Sequence, residues 1–267
     1  IDCANGSGYK CAPQILWELG ANVIPIGVEP NGFNINLNCG STNTLLASEL
    51  VKKYNADLAI CLDGDADRVI ILDELGNEID GDQLIALIAN NLKSENKIQG
   101  DTIVSTVMSN LGLLRYLKDL GLNLFRTPVG DRYVSEIMKE KGFNFGGEKS
   151  GHIIMTDYSS TGDGLLAALY FLSILKDSGK TTSQLLNVFK PTPQKLLNLN
   201  FGSKDNPLDN PEFNKTINEL RKKISDSGEI LVRKSGTEPV IRIMIQHNDT
   251  KIFEEILEEI NYMISKL

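Results

Sequence analysis

Leu58-Ala59-Ile60-Cys61-Leu62-Asp63-Gly64-Asp65-Ala66-Asp67-Arg68-Val69-Ile70-Ile71-Leu72 is the stretch that decides the fold. Its first five residues form an unbroken apolar run, as in a strand covered on both faces. A second apolar run, Val69 to Leu72, ends in the turn Glu74-Leu75-Gly76-Asn77. Between the runs, three carboxylates alternate with small residues.

Helical patterns flank this stretch. Leu46, Leu50, Val51 and Tyr54 share one helical face within 43–55, and Leu84, Ile85, Ile88 and Leu92 share another. Val23-Ile24-Pro25-Ile26 reads as a strand. Strands interleaved with helices predict an α/β sheet. A second round begins at Thr102-Ile103-Val104-Ser105, followed by a helix bearing Leu113, Leu114, Leu117 and Leu120. That helix ends at Gly121, a left-handed cap position. Leu16-Trp17-Glu18-Leu19-Gly20-Ala21-Asn22 and Leu117-Lys118-Asp119-Leu120-Gly121-Leu122-Asn123 repeat one helix-to-strand junction, which suggests two related units.

Lys190-Pro191-Thr192-Pro193 breaks the pattern. Beyond it, Leu197, Leu199 and Phe201 alternate with asparagines as in a half-buried strand, and Asn210-Pro211 starts a helix. Strands over 229–233 and 240–245 and an amphipathic terminal helix complete a β-α-β-β-α unit. The expected fold class is therefore α/β. Two related three-layer α/β domains, 1–97 and 98–189, precede a smaller α+β domain, 190–267.

The 267 residues carry a net charge of −8, with 41% hydrophobic and 23% charged residues, a globular mixture that argues against a general nucleic-acid surface. No apolar run approaches the ~20 residues of a membrane helix. The four cysteines (Cys3, Cys11, Cys39, Cys61) form no C-x-x-C pair and read as free thiols of a cytoplasmic protein. With only two histidines, a His-rich metal site is nearly excluded. Ile1-Asp2-Cys3-Ala4 reads as the tail of a buried strand, so the chain is expected to be a fragment.

Three loops are candidates for chemistry. Asp63, Asp65 and Asp67 converge on one cation if their loop curls, and hard oxygens suit Mg²⁺ or Ca²⁺. One alternative is an acidic turn without a ligand. Another is an EF-hand, with Glu74 at position 12, although Arg68 stands where that loop needs glycine. In Gly146-Gly147-Glu148-Lys149-Ser150-Gly151-His152, an extended loop aims Glu148, Ser150 and His152 the same way, as a polyhydroxylated ligand requires. On spacing alone, a glycine-rich turn beside a core histidine reads equally well. Arg233-Lys234-Ser235-Gly236-Thr237-Glu238-Pro239, with Arg242, reads either as a phosphate cradle or as a hairpin turn with solvated charges.

The order of these three loops resembles the α-D-phosphohexomutase superfamily, and within it the bacterial phosphoglucosamine mutase branch. Asp80-Gly81-Asp82-Gln83, Val129-Gly130-Asp131-Arg132-Tyr133 and Thr161-Gly162-Asp163-Gly164 agree with it. The resemblance implies four domains, of which this chain is like the second, third and fourth. The first carries a phosphoserine in a Ser-His-Asn-Pro setting, which neither histidine here matches. The N-terminal domain is thus an expected partner, and the chain alone is expected to be inactive.

The resemblance also implies the reaction. Glucosamine 6-phosphate and glucosamine 1-phosphate interconvert through a sugar 1,6-bisphosphate, which serves as intermediate and activator, on the way to UDP-N-acetylglucosamine and cell-wall precursors. It implies Mg²⁺ on Asp63, Asp65 and Asp67, with Arg68 beside the transferring phosphate. It implies sugar contacts from Glu148, Lys149, Ser150, His152, Asp131 and Arg132. Arg233, Ser235, Gly236, Thr237 and Arg242 are implied to grip the other phosphate. Three positions depart from the common pattern: Ala66 for Gly, read as a mild change, Lys149 for Gln and Lys234 for Pro. The two lysines are expected to add positive charge near the ligand. The alternatives are a phosphomannomutase/phosphoglucomutase, or a non-catalytic sugar-phosphate-binding protein; a homodimer is left open.

Overall fold

The computed structural model describes residues 1–201, 206–224, 227–235 and 239–265. Contacts divide the chain into two compact units: residues 1–109 with 113–190, and residues 110–112 with 191–267.

The larger unit begins with α1 (Cys11–Glu18), α2 (Leu45–Tyr54), β1 (Ala59–Leu62), β2 (Val69–Leu72) and β3 (Glu78–Ile79). The deciding stretch is thus a hairpin, with Ala59 opposite Leu72 and Leu62 opposite Val69, and β3 pairs antiparallel on the far side of β2. On the other side, Asp2 N donates to Ile60 O and Leu62 N to Asp2 O, while Cys3 N donates to Ile26 O. Residues 1–3 therefore lie parallel between β1 and Ile26. The expected strand at 23–26 is reduced to this single bridge at Ile26. Pro25 has no amide to donate, and Gly27 turns the chain away with φ 61°.

Next come α3 (Gly81–Ser94), β4 (Thr102–Thr106), α4 (Leu111–Asp119), β5 (Asn123–Thr127), α5 (Asp131–Lys141), β6 (Phe145–Gly147), β7 (Ile153–Met155), α6 (Gly164–Ser178) and α7 (Thr182–Leu185). The sheet order is β5-β4-β6-β7; the first two pairings are parallel and β6–β7 is an antiparallel hairpin. α3 is buried along most of its length, from Gly81 to Ala89, because it lies inside one hydrophobic core shared by the two α/β halves. That core includes Ile60 and Leu62 of β1, Ile103 of β4, Phe145 of β6 and Phe171 of α6. The sequence repeat is real in geometry. Ala21 N donates to Leu16 O as Leu122 N does to Leu117 O, and Gly20 and Gly121 both take positive φ.

The smaller unit holds β8 (Gln194–Asn200), α8 (Pro211–Ile224), β9 (Gly228–Lys234), β10 (Val240–His247) and α9 (Thr250–Ser265). β10 is central, antiparallel to both β8 and β9. Asn210 caps α8 by accepting from the amides of Glu212 and Phe213. Ile241, Ile243 and Ile245 pack with Phe213, Ile217, Leu220, Ile256 and Ile260 of the two helices. The order is the β-α-β-β-α that the sequence predicts.

Among the described residues, no helix is long and apolar enough to cross a membrane. All four cysteines are free thiols; Cys3, Cys39 and Cys61 are buried and Cys11 is exposed. Burial pushes the Cys3 thiol up to about 12.

Candidate functional site

The loop 63–68 closes the β1–β2 hairpin. It curls because Ala66 N donates back to Asp63 O (3.1 Å) and Ala66 takes a left-handed φ of 62°. This explains why the resemblance favours glycine at that position. It also corrects the reading of Ala66 as a mild change: a methyl group is held in a conformation that L-residues avoid. A Cβ at Gly64 would stand 2.6 Å from the exposed Ile35 side chain, which would have to shift to admit it.

One carboxylate oxygen from each of Asp63, Asp65 and Asp67 lies within 4.8 Å of the others. Asp63 is buried, and its Oδ1 accepts from the Arg68 amide at 3.0 Å. Arg68 Nε stands 3.7 Å from Asp63 Oδ2 and 3.6 Å from Asp67 Oδ1. Burial, then the contact with Asp67, push the Asp63 carboxyl up to about 6, and the Arg68 amide opposes them. Asp67 Oδ1 is buried without a hydrogen-bond partner. Three crowded carboxylates, one oxygen lacking a donor and one carboxyl pushed towards protonation fit a small hard cation. The EF-hand alternative is overturned. The flanks are paired strands, and Glu74 turns elsewhere to accept from the amide and hydroxyl of Ser183.

The second loop is the β6–β7 turn, closed by Glu148 N donating to His152 O (2.8 Å) and Gly151 N to Glu148 O (3.0 Å). It meets the first loop directly. Arg68 and His152 form a β-bridge, and Val69 N donates to Gly151 O at 3.1 Å. A Cβ on Gly151 would fall 2.0 Å from Val69 O, so this approach requires glycine. His152 is buried, with Nδ1 3.0 Å from Asp67 Oδ2. Gly164 N donates to Ala66 O (2.9 Å) and so holds the start of α6 against the acidic loop.

Within that turn the side chains diverge. Ser150 is exposed. Glu148 Oε1 accepts from Gly130 N at 3.0 Å, which ties the turn to the start of α5. Lys149 points to the start of α3, with Nζ 2.8 Å from Asp80 Oδ2 and 3.9 Å from the buried Asp82. Asp131 is exposed in the first turn of α5, and Arg132 pairs with Glu136 along the same helix at 2.7 Å.

In the smaller unit, Arg233 on β9 and Arg242 on β10 are direct cross-strand partners, and Asn198 on β8 is the next residue in the row. They lie on the sheet face opposite Ile241 and Ile243. Ser235 is buried, and its amide donates to Val240 O at 2.7 Å. Gly236 and Thr237 lie outside the described residues.

Sequence reasoning gave no role to Asp80 and Asp82, the partners of Lys149, nor to Gly162. A Cβ on Gly162 would stand 2.2 Å from His152 Nε2, so Gly162 forms the wall behind the ring. The available signal was acidic residues flanking Gly81 at a helix start.

Fold and site together define a class: multi-unit α/β proteins in which an acidic hairpin loop is pressed against a glycine-rich turn. The chain belongs to the phosphoglucomutase/phosphomannomutase family. The family's α/β/α domain II matches residues 1–76, its α/β/α domain III residues 80–192 and its C-terminal domain residues 196–262. Phosphoglucosamine mutase of Cereibacter sphaeroides is 53% identical over 260 residues, 97% of this chain and 58% of that protein. Phosphoglucosamine mutase of Phenylobacterium zucineum is 53% identical over all 267 residues, 59% of its own length. The chain thus spans less than two thirds of the curated relatives it matches.

Among solved structures, a phosphoglucomutase/phosphomannomutase family protein from Burkholderia thailandensis shares the fold at TM-score 0.80 and 23% identity. The match covers 98% of this chain and 58% of that one. An Aspergillus fumigatus N-acetylphosphoglucosamine mutase, in complex with GlcNAc-6P and magnesium, matches at TM-score 0.73 and 20% identity, over 96% of this chain and 63% of its own.

Proposed function

We propose that this chain is the cation-, sugar- and phosphate-binding part of a cytoplasmic phosphoglucosamine mutase that interconverts glucosamine 6-phosphate and glucosamine 1-phosphate. The observation that carries this reading is the junction of the two loops, where Asp67 meets His152 at 3.0 Å. It joins a carboxylate cluster fit for Mg²⁺ to a turn fit for sugar hydroxyls. The relatives at 53% identity support the substrate class, and the magnesium of the Aspergillus neighbour supports the cation.

In this reading residues 1–97, 98–189 and 190–267 are the second, third and fourth domains, and the nucleophilic phosphoserine belongs to a first domain of a longer protein. Asp63, Asp65 and Asp67 hold the cation. When bound, Mg²⁺ offsets charge on the phosphoryl oxygens during transfer. Arg68 adds a guanidinium on the same side. Glu148 and Ser150 meet sugar hydroxyls, with His152 behind them and Asp131, Arg132 and Lys149 at the rim. Arg233, Ser235, Gly236, Thr237 and Arg242 hold the phosphate that is not being transferred. A sugar 1,6-bisphosphate then presents either end in turn.

The test joins the chain to the N-terminal domain of the Phenylobacterium relative and assays glucosamine, glucose and mannose 6-phosphates with Mg²⁺. Glucosamine 6-phosphate is expected to be converted with kcat/KM at least ~10-fold above the others, as one or two selective polar contacts supply, and the chain alone is expected to be inactive. Faster conversion of glucose or mannose phosphate would move the protein to the neighbouring branch. No conversion of any of them would leave a binding protein.

A further inference from the structure

We infer that His152 is a positioning residue for the cation loop, acting through Asp67. This rests on the reading of residues 63–67 as a cation site and goes beyond it, because His152 belongs to the other loop. The ring is buried, and Nδ1 lies 3.0 Å from Asp67 Oδ2. A carboxylate oxygen accepts, so Nδ1 carries the proton. The bond fixes one oxygen of Asp67 and leaves Oδ1, which is buried and has no hydrogen-bond partner although Arg68 Nε stands 3.6 Å away, for a cation.

The ring itself cannot swing away. Its backbone is bridged to Arg68, and Gly162 closes off Nε2 so tightly that a Cβ there would stand 2.2 Å from it. Nε2 is likewise buried without a hydrogen-bond partner, so one nitrogen alone anchors the ring. This is the arrangement by which an outer group orients a metal-binding carboxylate. Its consequence is coupling: whatever moves the sugar-facing turn moves Asp67, and cation binding at Asp67 in turn steadies that turn.

The experiment titrates the 267-residue chain with Mn²⁺ by calorimetry, with electron paramagnetic resonance of free Mn²⁺ as the second readout. The parent is expected to bind and Asp65→Asn to bind more weakly. His152→Phe and Gly162→Ala, which displaces the ring without changing a residue of either loop, are expected to bind ~10–100-fold more weakly, the usual cost of losing such a partner. His152→Asn, whose side-chain amide reaches about where Nδ1 stands, is expected to restore affinity to within a few-fold. If His152→Phe does not fold, His152→Gln, whose amide overshoots Asp67, takes its place. A parent that binds Mn²⁺ with a His152→Phe (or His152→Gln) variant of equal affinity overturns the positioning role alone. A parent that binds no better than Asp65→Asn overturns the cation reading and this inference with it.

Discussion

Glu74, in the turn after β2, accepts hydrogen bonds from the amide and the hydroxyl of Ser183, 109 residues further along the chain. The contact fastens the start of α7 to the hairpin that carries the acidic loop, and Thr182 reinforces it by donating to Asp57 O at 3.0 Å. Burial pushes the Glu74 carboxyl up, but the Ser183 hydroxyl and amide outweigh it and hold the group at about 2. An unfolded glutamate titrates near ~4.3. The stabilisation is therefore fully present above that pH and is lost as pH falls towards 2. Glu74→Gln should cost ~1 kcal/mol at pH 7, a figure discounted for partial exposure. In urea melts the gap between parent and variant should shrink several-fold by about pH 2.5 and close only below about pH 2. A gap of equal size at both pH values would contradict this account.

Ala66 is the one residue of the acidic loop in left-handed conformation, at φ 62°. That conformation costs an L-residue ~1–2 kcal/mol, and glycine's extra freedom when unfolded takes back ~0.5–1. Ala66→Gly should therefore stabilise the chain by a few tenths to ~1 kcal/mol, raising Tm by ~1–4 °C. A lower Tm would mean that the methyl group packs better than its backbone suffers.

Lys149 carries a prediction that separates packing from ligand binding. Its ammonium lies between Asp80, at 2.8 Å, and Asp82, at 3.9 Å and fully buried. The expectation that this lysine adds positive charge near the ligand meets two carboxylates already in place. Lys149→Gln should lower stability by ~1–2 kcal/mol, because a buried carboxylate loses its cation. Phosphosugar affinity of the chain joined to the N-terminal domain of the Phenylobacterium relative should stay within ~3-fold, since a charge already paired adds little to a ligand. A tenfold loss of affinity would restore Lys149 as a direct ligand.

The hairpin and its acidic loop were legible because an apolar run, carboxylates at alternate positions and a second apolar run form a local pattern. The caps at Gly20 and Gly121 were legible for the same reason, as was the helix start at Asn210. The failures were non-local or hidden in the backbone. The segment 23–26 has strand composition, but it is held only through Ile24 O and Ile26 to residues 1–3, and Gly27 then turns the chain away. The grip of Glu74 on Ser183, of Asp80 on Lys149 and of Gly162 on His152 joins residues distant in sequence, and no periodicity encodes such pairs. Only the ordered set of loops, taken as a resemblance, hinted that the acidic loop and the turn 148–151 belong together.

Arg233 and Arg242 stand opposite each other across β9 and β10, on one face of the sheet. Like charges directly opposite in a ladder destabilise it by ~0.2–1 kcal/mol, and an oxyanion between two guanidiniums reverses the sign. The two conditions should therefore separate. Without phosphate, Arg233→Ala sets the baseline Tm against which the gain from phosphate is read. With inorganic phosphate at ten times its Kd, the parent should gain ~1.4 kcal/mol by mass action, and the variant should gain little. Thermal melts at matched ionic strength, with chloride replacing phosphate, distinguish specific binding from general screening. If parent and variant gain equally from phosphate, Arg233 is no part of a phosphate site.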